Sequence, residues 1–242
     1  MKKLIALLLI VCALPLFAQR VRRQDFASDF QTIPVMGNTP GAGATFQSFV
    51  AIMNPTSSAF PVDVTMYDNS GTKRTATITL GAGELKTYPN FLANVFDNFV
   101  GGGAVTFRSS DLSRRFIVNS EVWTSGSRYG TSIPSLEFAG SNSRSYAAGI
   151  SVDAASRTNV GCFNQSDAAN AIVATVYDKT AHVVGTVNLN LAANAWAQTS
   201  VNAAVTDGYV QFDPEDAAVC YAVVVTNATN DGRFIMATEY EP

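Results

Sequence analysis

The chain has 242 residues but a single histidine, His182, and three cysteines, Cys12, Cys162 and Cys220, which narrows the chemistry open to it. Nucleophilic catalysis of the Ser-His-Asp or Cys-His kind needs an imidazole held by a buried acid beside a nucleophile. His182 stands in KTAHVVG, which reads as a hairpin turn, so solvent is its expected surrounding. No GxSxG motif occurs. One histidine and two distant cysteines do not make a four-ligand zinc set at a recognisable spacing. Glycoside hydrolysis needs two carboxylates, which can come from anywhere in a chain. Glu84, Glu121, Asp178 and Glu239 are the candidates, and acids at strand ends are usually solvated. Asp68 with Asn69, and Asp213 with Glu215 and Asp216, offer oxygen ligands for calcium, yet neither stretch has the length or alternation of a known calcium loop. The remaining lead is aromatic. Trp123, Tyr129 and Trp196, exposed together, would stack on a sugar or anchor a partner protein. Burial competes with that reading, because Trp123 ends a strand of alternating apolar residues and Trp196 falls where Leu85 sits in the other half of the chain. The expectation is no catalytic residue, no cofactor and no metal, with these three aromatics as the candidate ligand-binding residues.

The elements that would hold such residues begin with an export signal. Residues 1–18, MKKLIALLLIVCALPLFA, place two lysines before an apolar run and end on a small residue, the layout of a secretory signal peptide cleaved after Ala18. The run is well short of the ~20 apolar residues that span a bilayer, so no transmembrane segment is expected in the mature chain. Cys12 is a weak match to a lipidation site, since Val11 precedes it where a small residue is preferred. Cleavage removes Lys2 and Lys3, leaving 16 − 2 = 14 basic residues against 19 acidic ones. That balance disfavours a nucleic-acid partner. Only 14% of residues are charged and 47% are apolar, the composition of an extracellular β protein with a hydroxyl and amide surface. Cys162 and Cys220 survive cleavage, and an even count in an oxidising compartment favours a disulfide between them over two buried thiols.

The chain is self-similar. FVAIMNPTSSAFPVDVTMYD (49–68) lines up without a gap with NVGCFNQSDAANAIVATVYD (159–178), an offset of 110 from Asn54 to Asn164. LGAGELKT at Leu80 meets LAANAWAQ at Leu191, GAVTF at Gly103 meets GYVQF at Gly208, and 116–123 is aligned with 221–228 at the same offset as Gly103 and Gly208. Within each copy apolar residues alternate, as at Val62, Val64 and Met66, which predicts strands with one face on a core. In the first copy these fall at about 46–53, 61–67, 73–80, 84–88, 103–108 and 115–123. Phe91, Leu92, Val95, Phe96 and Phe99 fit one helical face, capped by Asn90 and ended by Gly101, Gly102 and Gly103; the second copy has only 201–207 in its place. The predicted fold is all-β, two tandem antiparallel sandwiches, the first over 19–140 with one short inserted helix and the second over 141–242, joined at 137–145.

On NPTSS (54–58), YDNSG (67–71), LGAGELKTYPNFLANVF (80–96), GGGAVTF (101–107), SRYGTSIPSL (127–136) and RTNVGCFN (157–164), the chain resembles a tandem immunoglobulin-like module of secreted bacterial proteins. The second copy departs from the pattern where Ala181 replaces the hairpin glycine, Gly71. The resemblance implies fold and export and carries no activity. The expected function is non-enzymatic: a secreted, periplasmic or extracellular module that binds a protein or glycan at the cell surface or builds the envelope. The alternatives are a carbohydrate-binding module using the aromatics and, behind it, a glycoside hydrolase with paired carboxylates.

Overall fold

The computed structural model describes residues 27–41, 44–124, 130–137 and 140–239. The expected signal peptide, Tyr129 and parts of the join lie outside the described residues. Alternation of apolar and polar side chains builds nearly everything in them. The first half contributes β1 (Phe30–Gly41), β2 (Ala44–Met53), β3 (Phe60–Tyr67), β4 (Lys73–Leu80), β5 (Leu85–Tyr88), α1 (Phe91–Val95), β6 (Gly101–Ser109), β7 (Ile117–Thr124) and β8 (Gly130–Ile133). The second contributes β9 (Ser145–Val152), β10 (Ser156–Asn164), β11 (Asn170–Tyr177), β12 (Val183–Leu191), β13 (Trp196–Ser200), β14 (Val205–Pro214), β15 (Ala218–Thr226), β16 (Gly232–Met236) and β17 (Thr238–Glu239). The fold is all-β and antiparallel. One sheet runs β4-β3-β6-β1-β2-β7-β8 with β5 on β2; the others run β12-β11-β14-β9-β17 and β13-β10-β15-β16. Among the described residues no ladder joins a strand of one half to a strand of the other.

Strand neighbours pair at matching registers in the two halves. Met53 faces Leu85 as Phe163 faces Trp196, Tyr67 faces Ala104 as Tyr177 faces Tyr209, and Ile52 faces Val118 as Cys162 faces Cys220. The last pair corrects the alignment of the final strands. Val118 matches Cys220, so β7 and β15 correspond at an offset of 102 and Tyr221 stands where Asn119 does, not where Phe116 does.

Two elements differ from expectation. β1 has no counterpart in the predicted strands, because Pro34, Gly37 and Pro40 interrupt any alternation. It nonetheless pairs β6 on both sides of a register shift between Ile33 and Met36, and its last residues pair β2, so one strand carries the sheet around the first core. The helix is shorter than its apolar spacing suggests. Asn90 Oδ1 caps it by accepting from the Ala93 N–H at 3.4 Å, but Asp97 and Asn98 take positive φ and end it, while the three glycines begin β6. Phe91 and Leu92 are buried in the first core, so α1 packs over that half.

The turns explain the most distinctive sequence signatures. Asn54 and Asn164 are fully buried. Asn54 Nδ2 donates to the carbonyls of Ser58 (2.8 Å) and Gly81 (2.7 Å), and Asn164 Nδ2 donates to those of Ala168 (2.8 Å) and Ala192 (2.7 Å). Each amide ties the turn after one strand to the turn after another, and the carbonyls satisfy a side chain that would otherwise be buried unpaired. In the hairpins, Asp68 and Asp178 accept two backbone N–H bonds each, from Ser70 and Thr72 and from Thr180 and His182. The Thr180 hydroxyl, at 2.7 Å, is the main reason the Asp178 carboxyl is pulled down to about 2.

Gly71 and Ala181 both take positive φ, 80° and 65°. A Cβ on Gly71 would lie 2.5 Å from the Ala193 carbonyl of the second half, whereas Ala181 stands at an exposed turn. An alanine there carries left-handed backbone strain of roughly 1 kcal/mol. Ala181→Gly should therefore raise stability by about that amount in a denaturant melt; a neutral or negative change would contradict the turn geometry.

Candidate functional site

The second half is built to dock on the first. Alternation on β15 points Cys220, Ala222 and Val224 into the second core, which leaves Tyr221 and Val223 on the outer face. Instead of meeting water these pack into the first core with Phe234 and Trp196, and Tyr221 is 0% exposed. At the matching positions of the first half stand Asn119, Glu121, Ser132 and Leu85. All four are exposed, Leu85 by 59%. One outer sheet face is thus apolar and covered, and its counterpart, polar but for Leu85, is exposed.

Trp196 bridges the junction. Its N–H donates to the Asp68 carbonyl at 3.0 Å, its Nε1 donates to the Tyr221 hydroxyl at 3.0 Å, and that hydroxyl donates to Gln198 Oε1 at 3.1 Å. The indole lies on Gly102, where an added Cβ would come within 2.8 Å of the ring, so the close approach requires glycine. Tyr67 and Phe163 meet across the same junction with ring centroids 4.9 Å apart. Burial pushes the Tyr221 phenol well above its ordinary value, so it is neutral and serves as a hydrogen-bonding group.

Where the halves meet, a cleft of about 470 Å³ remains. Val35, Met36, Phe46, Val122, Trp123 and Ile133 line it from the first half, and Trp196, Val223 and Val225 from the second. Arg157, Asn159, Gln198 and Ser200 add polar groups along the second-half wall. The chain has two tryptophans, and both face this cleft. Both are half-buried. Trp123 is held by its Nε1, which donates to the Pro89 carbonyl at 3.3 Å. The structure therefore brings Trp123 and Trp196 together, while Tyr129 lies outside the described residues.

Sequence reasoning missed Arg157, Asn159 and Gln198. A signal was present: AVCYAVVVT, 218–226, is apolar at nearly every position, the mark of a strand covered on both faces, and β10 and β13 share its sheet.

Cys162 and Cys220 form a disulfide between directly facing residues of β10 and β15, with Cα atoms 4.1 Å apart, inside the second core. His182 is 80% exposed in its side chain and contacts Thr180 and Asp178. The four carboxylate candidates are engaged separately: Glu84 accepts from the Gly81 N–H, Asp178 from its turn, Glu239 from the Ser141 hydroxyl, and Glu121 is exposed. The calcium candidates are also occupied by protein donors. Asp213 takes Arg144 and Gln211, and Asp216 takes the Ser166 hydroxyl and the Ala217 N–H. Among the described residues no group of three or more His, Cys, Asp or Glu is placed to hold a metal, and no helix is long and apolar enough to cross a membrane.

No protein-family model and no curated protein matches the chain. Among solved structures it is similar to the PBSX exported protein XepA at 12% identity, over 83% of this chain and 84% of that one, with a TM-score of 0.29. It is also similar to beta-glucuronidase 2 of Bacteroides uniformis at 9% identity, over 89% of this chain, with a TM-score of 0.16. The chain spans only 26% of that enzyme's length. Likenesses this distant carry no inference about what the chain does.

Proposed function

We propose that the protein is a non-enzymatic, exported binding protein made of two copies of one sandwich module, and that the cleft between the copies is its binding site. The observation that carries this reading is that both tryptophans, distant in sequence and from different halves, line one cleft. Indole rings supply large contact area at little entropic cost, and they dominate the energetics of many binding sites. The matching strand registers support the duplication, and the disulfide and the apolar leader support export to an oxidising compartment. The partner is a protein or glycan at the cell surface.

A carbohydrate is the second reading. It is favoured by amide and hydroxyl groups beside the rings at Asn159, Gln198 and Ser200, the groups that hydrogen-bond sugar hydroxyls. The test is a glycan array together with binding to cell-envelope fractions, comparing the native protein with Trp123→Ala. Trp123 is the better probe because Trp196 also holds the halves together. Loss of one such anchor is worth about 2 kcal/mol, which is roughly a thirtyfold weaker Kd. Binding undiminished in Trp123→Ala would remove the cleft as the site. Turnover of generic glycoside substrates that Glu121→Gln or Glu239→Gln abolishes would replace the reading with a hydrolase.

A further inference from the structure

Resting on the reading of the cleft as a binding site, we infer that it selects an anionic ligand: Arg157 receives the ligand's carboxylate or other acid group, and the apolar walls take its body. Among the described residues that line the cleft, Arg157 is the only charged one. This is notable in a chain where acids outnumber bases 19 to 16. Among the described residues no carboxylate pairs with the guanidinium. Its Nη1 and Nη2 donate to Asn227 Oδ1 at 3.1 Å and Asn230 Oδ1 at 2.7 Å, both uncharged amides, and the ion pairs among the described residues involve other cations. A guanidinium has five N–H donors, of which these bonds use two.

The two amides fix the fork without reducing its charge. An arginine held this way loses little entropy when an acid binds, since its rotamer is already selected. The setting also strengthens the attraction. Val225 and Trp123 line the same cleft, and apolar walls lower the local dielectric and focus the field of a single cation. A neutral ligand of the same shape would gain the wall contacts but not the charge-assisted bonds, which are roughly twice as strong as neutral ones. Arg157 and Asn159 alternate on one face of β10 and Asn159 faces Ser200, so the acid-binding group and two neutral hydrogen-bonding groups line one wall of the cleft.

Two ligand sources share this chemistry, an acidic sugar and a fatty acid, and charge can be isolated in each by esterification. The measurement is quenching of intrinsic tryptophan fluorescence, since both fluorophores line the cleft. The probes are a galacturonate trisaccharide and dodecanoate below its micelle concentration, each against its methyl ester, with the full mature chain. At least one acid should bind about tenfold tighter than its ester, with the preference shrinking as salt is raised. Arg157→Gln should bring that acid to the level of its ester and leave the ester unchanged. Should that variant fail to fold, Arg157→Lys keeps the charge without the fork and should retain a reduced preference. Acid and ester binding equally, or a preference that survives in Arg157→Gln, overturns the inference while leaving the cleft as a binding site. If neither acid binds, the inference falls, and the cleft as a binding site stands or falls on the Trp123→Ala comparison alone.

Discussion

Tyr221→Ala is expected to lower stability by about 3–5 kcal/mol, the range for truncating a fully buried aromatic. The reason is its double membership. Tyr221 belongs to a strand of the second half but sits in the core of the first, stacked at 5.1 Å on Phe234 and hydrogen-bonded to Trp196 and Gln198. Removing it opens a cavity at the junction and leaves the indole N–H and the glutamine oxygen without their partner. Because each half also has its own hydrophobic cluster, calorimetry should then show two melting transitions, against the single one expected of the native protein. Tyr221→Phe keeps the packing and should cost only about 1 kcal/mol. A single, barely shifted transition for Tyr221→Ala would show that the halves are not coupled through this ring.

Removing the disulfide is the second large effect. Cys162 and Cys220 close a loop with a sequence separation of 58, and in the chain-entropy model such a link stabilises by roughly 4 kcal/mol. Ile52 and Val118 occupy the matching register in the first half and make an apolar pair there without a covalent bond. Cys162→Ala with Cys220→Ala should lose the link and the packing together. Cys162→Ile with Cys220→Val should recover the packing and leave only the loss from the link. The two double variants, compared in urea, separate the terms. Equal stability of either with the native protein would mean the cross-link contributes nothing. Thiol titration of the denatured native protein without reductant should find no reactive thiol from this pair.

Much of this structure was legible in the residues. Val62, Val64 and Met66 alternate and lie buried on one face of β3, as period-two patterning requires. The Asn54 and Asn164 signatures mark turns that are held by buried amides. β1 was not legible, since its prolines and glycines read as loop and it is held by pairing partners distant in sequence, β6 among them. The candidate site was half legible: Trp123 and Trp196 could be named as aromatics worth weighing, but nothing local says whether an indole faces its own core, a neighbouring module or water.

The order and type of the strands follow from sequence because they depend on local alternation and on turn residues acting over a few positions. The phase of β15 does not. In AVCYAVVVT both alternating sets are apolar, so a shift of three residues leaves the pattern intact while exchanging the two faces. Only pairing with β10, which sets Cys162 against Cys220, decides that Tyr221 points outward into the other half. The cleft, its two indoles and Arg157 beside them are consequences of that docking, and docking is settled by shape and burial between surfaces that no local pattern connects.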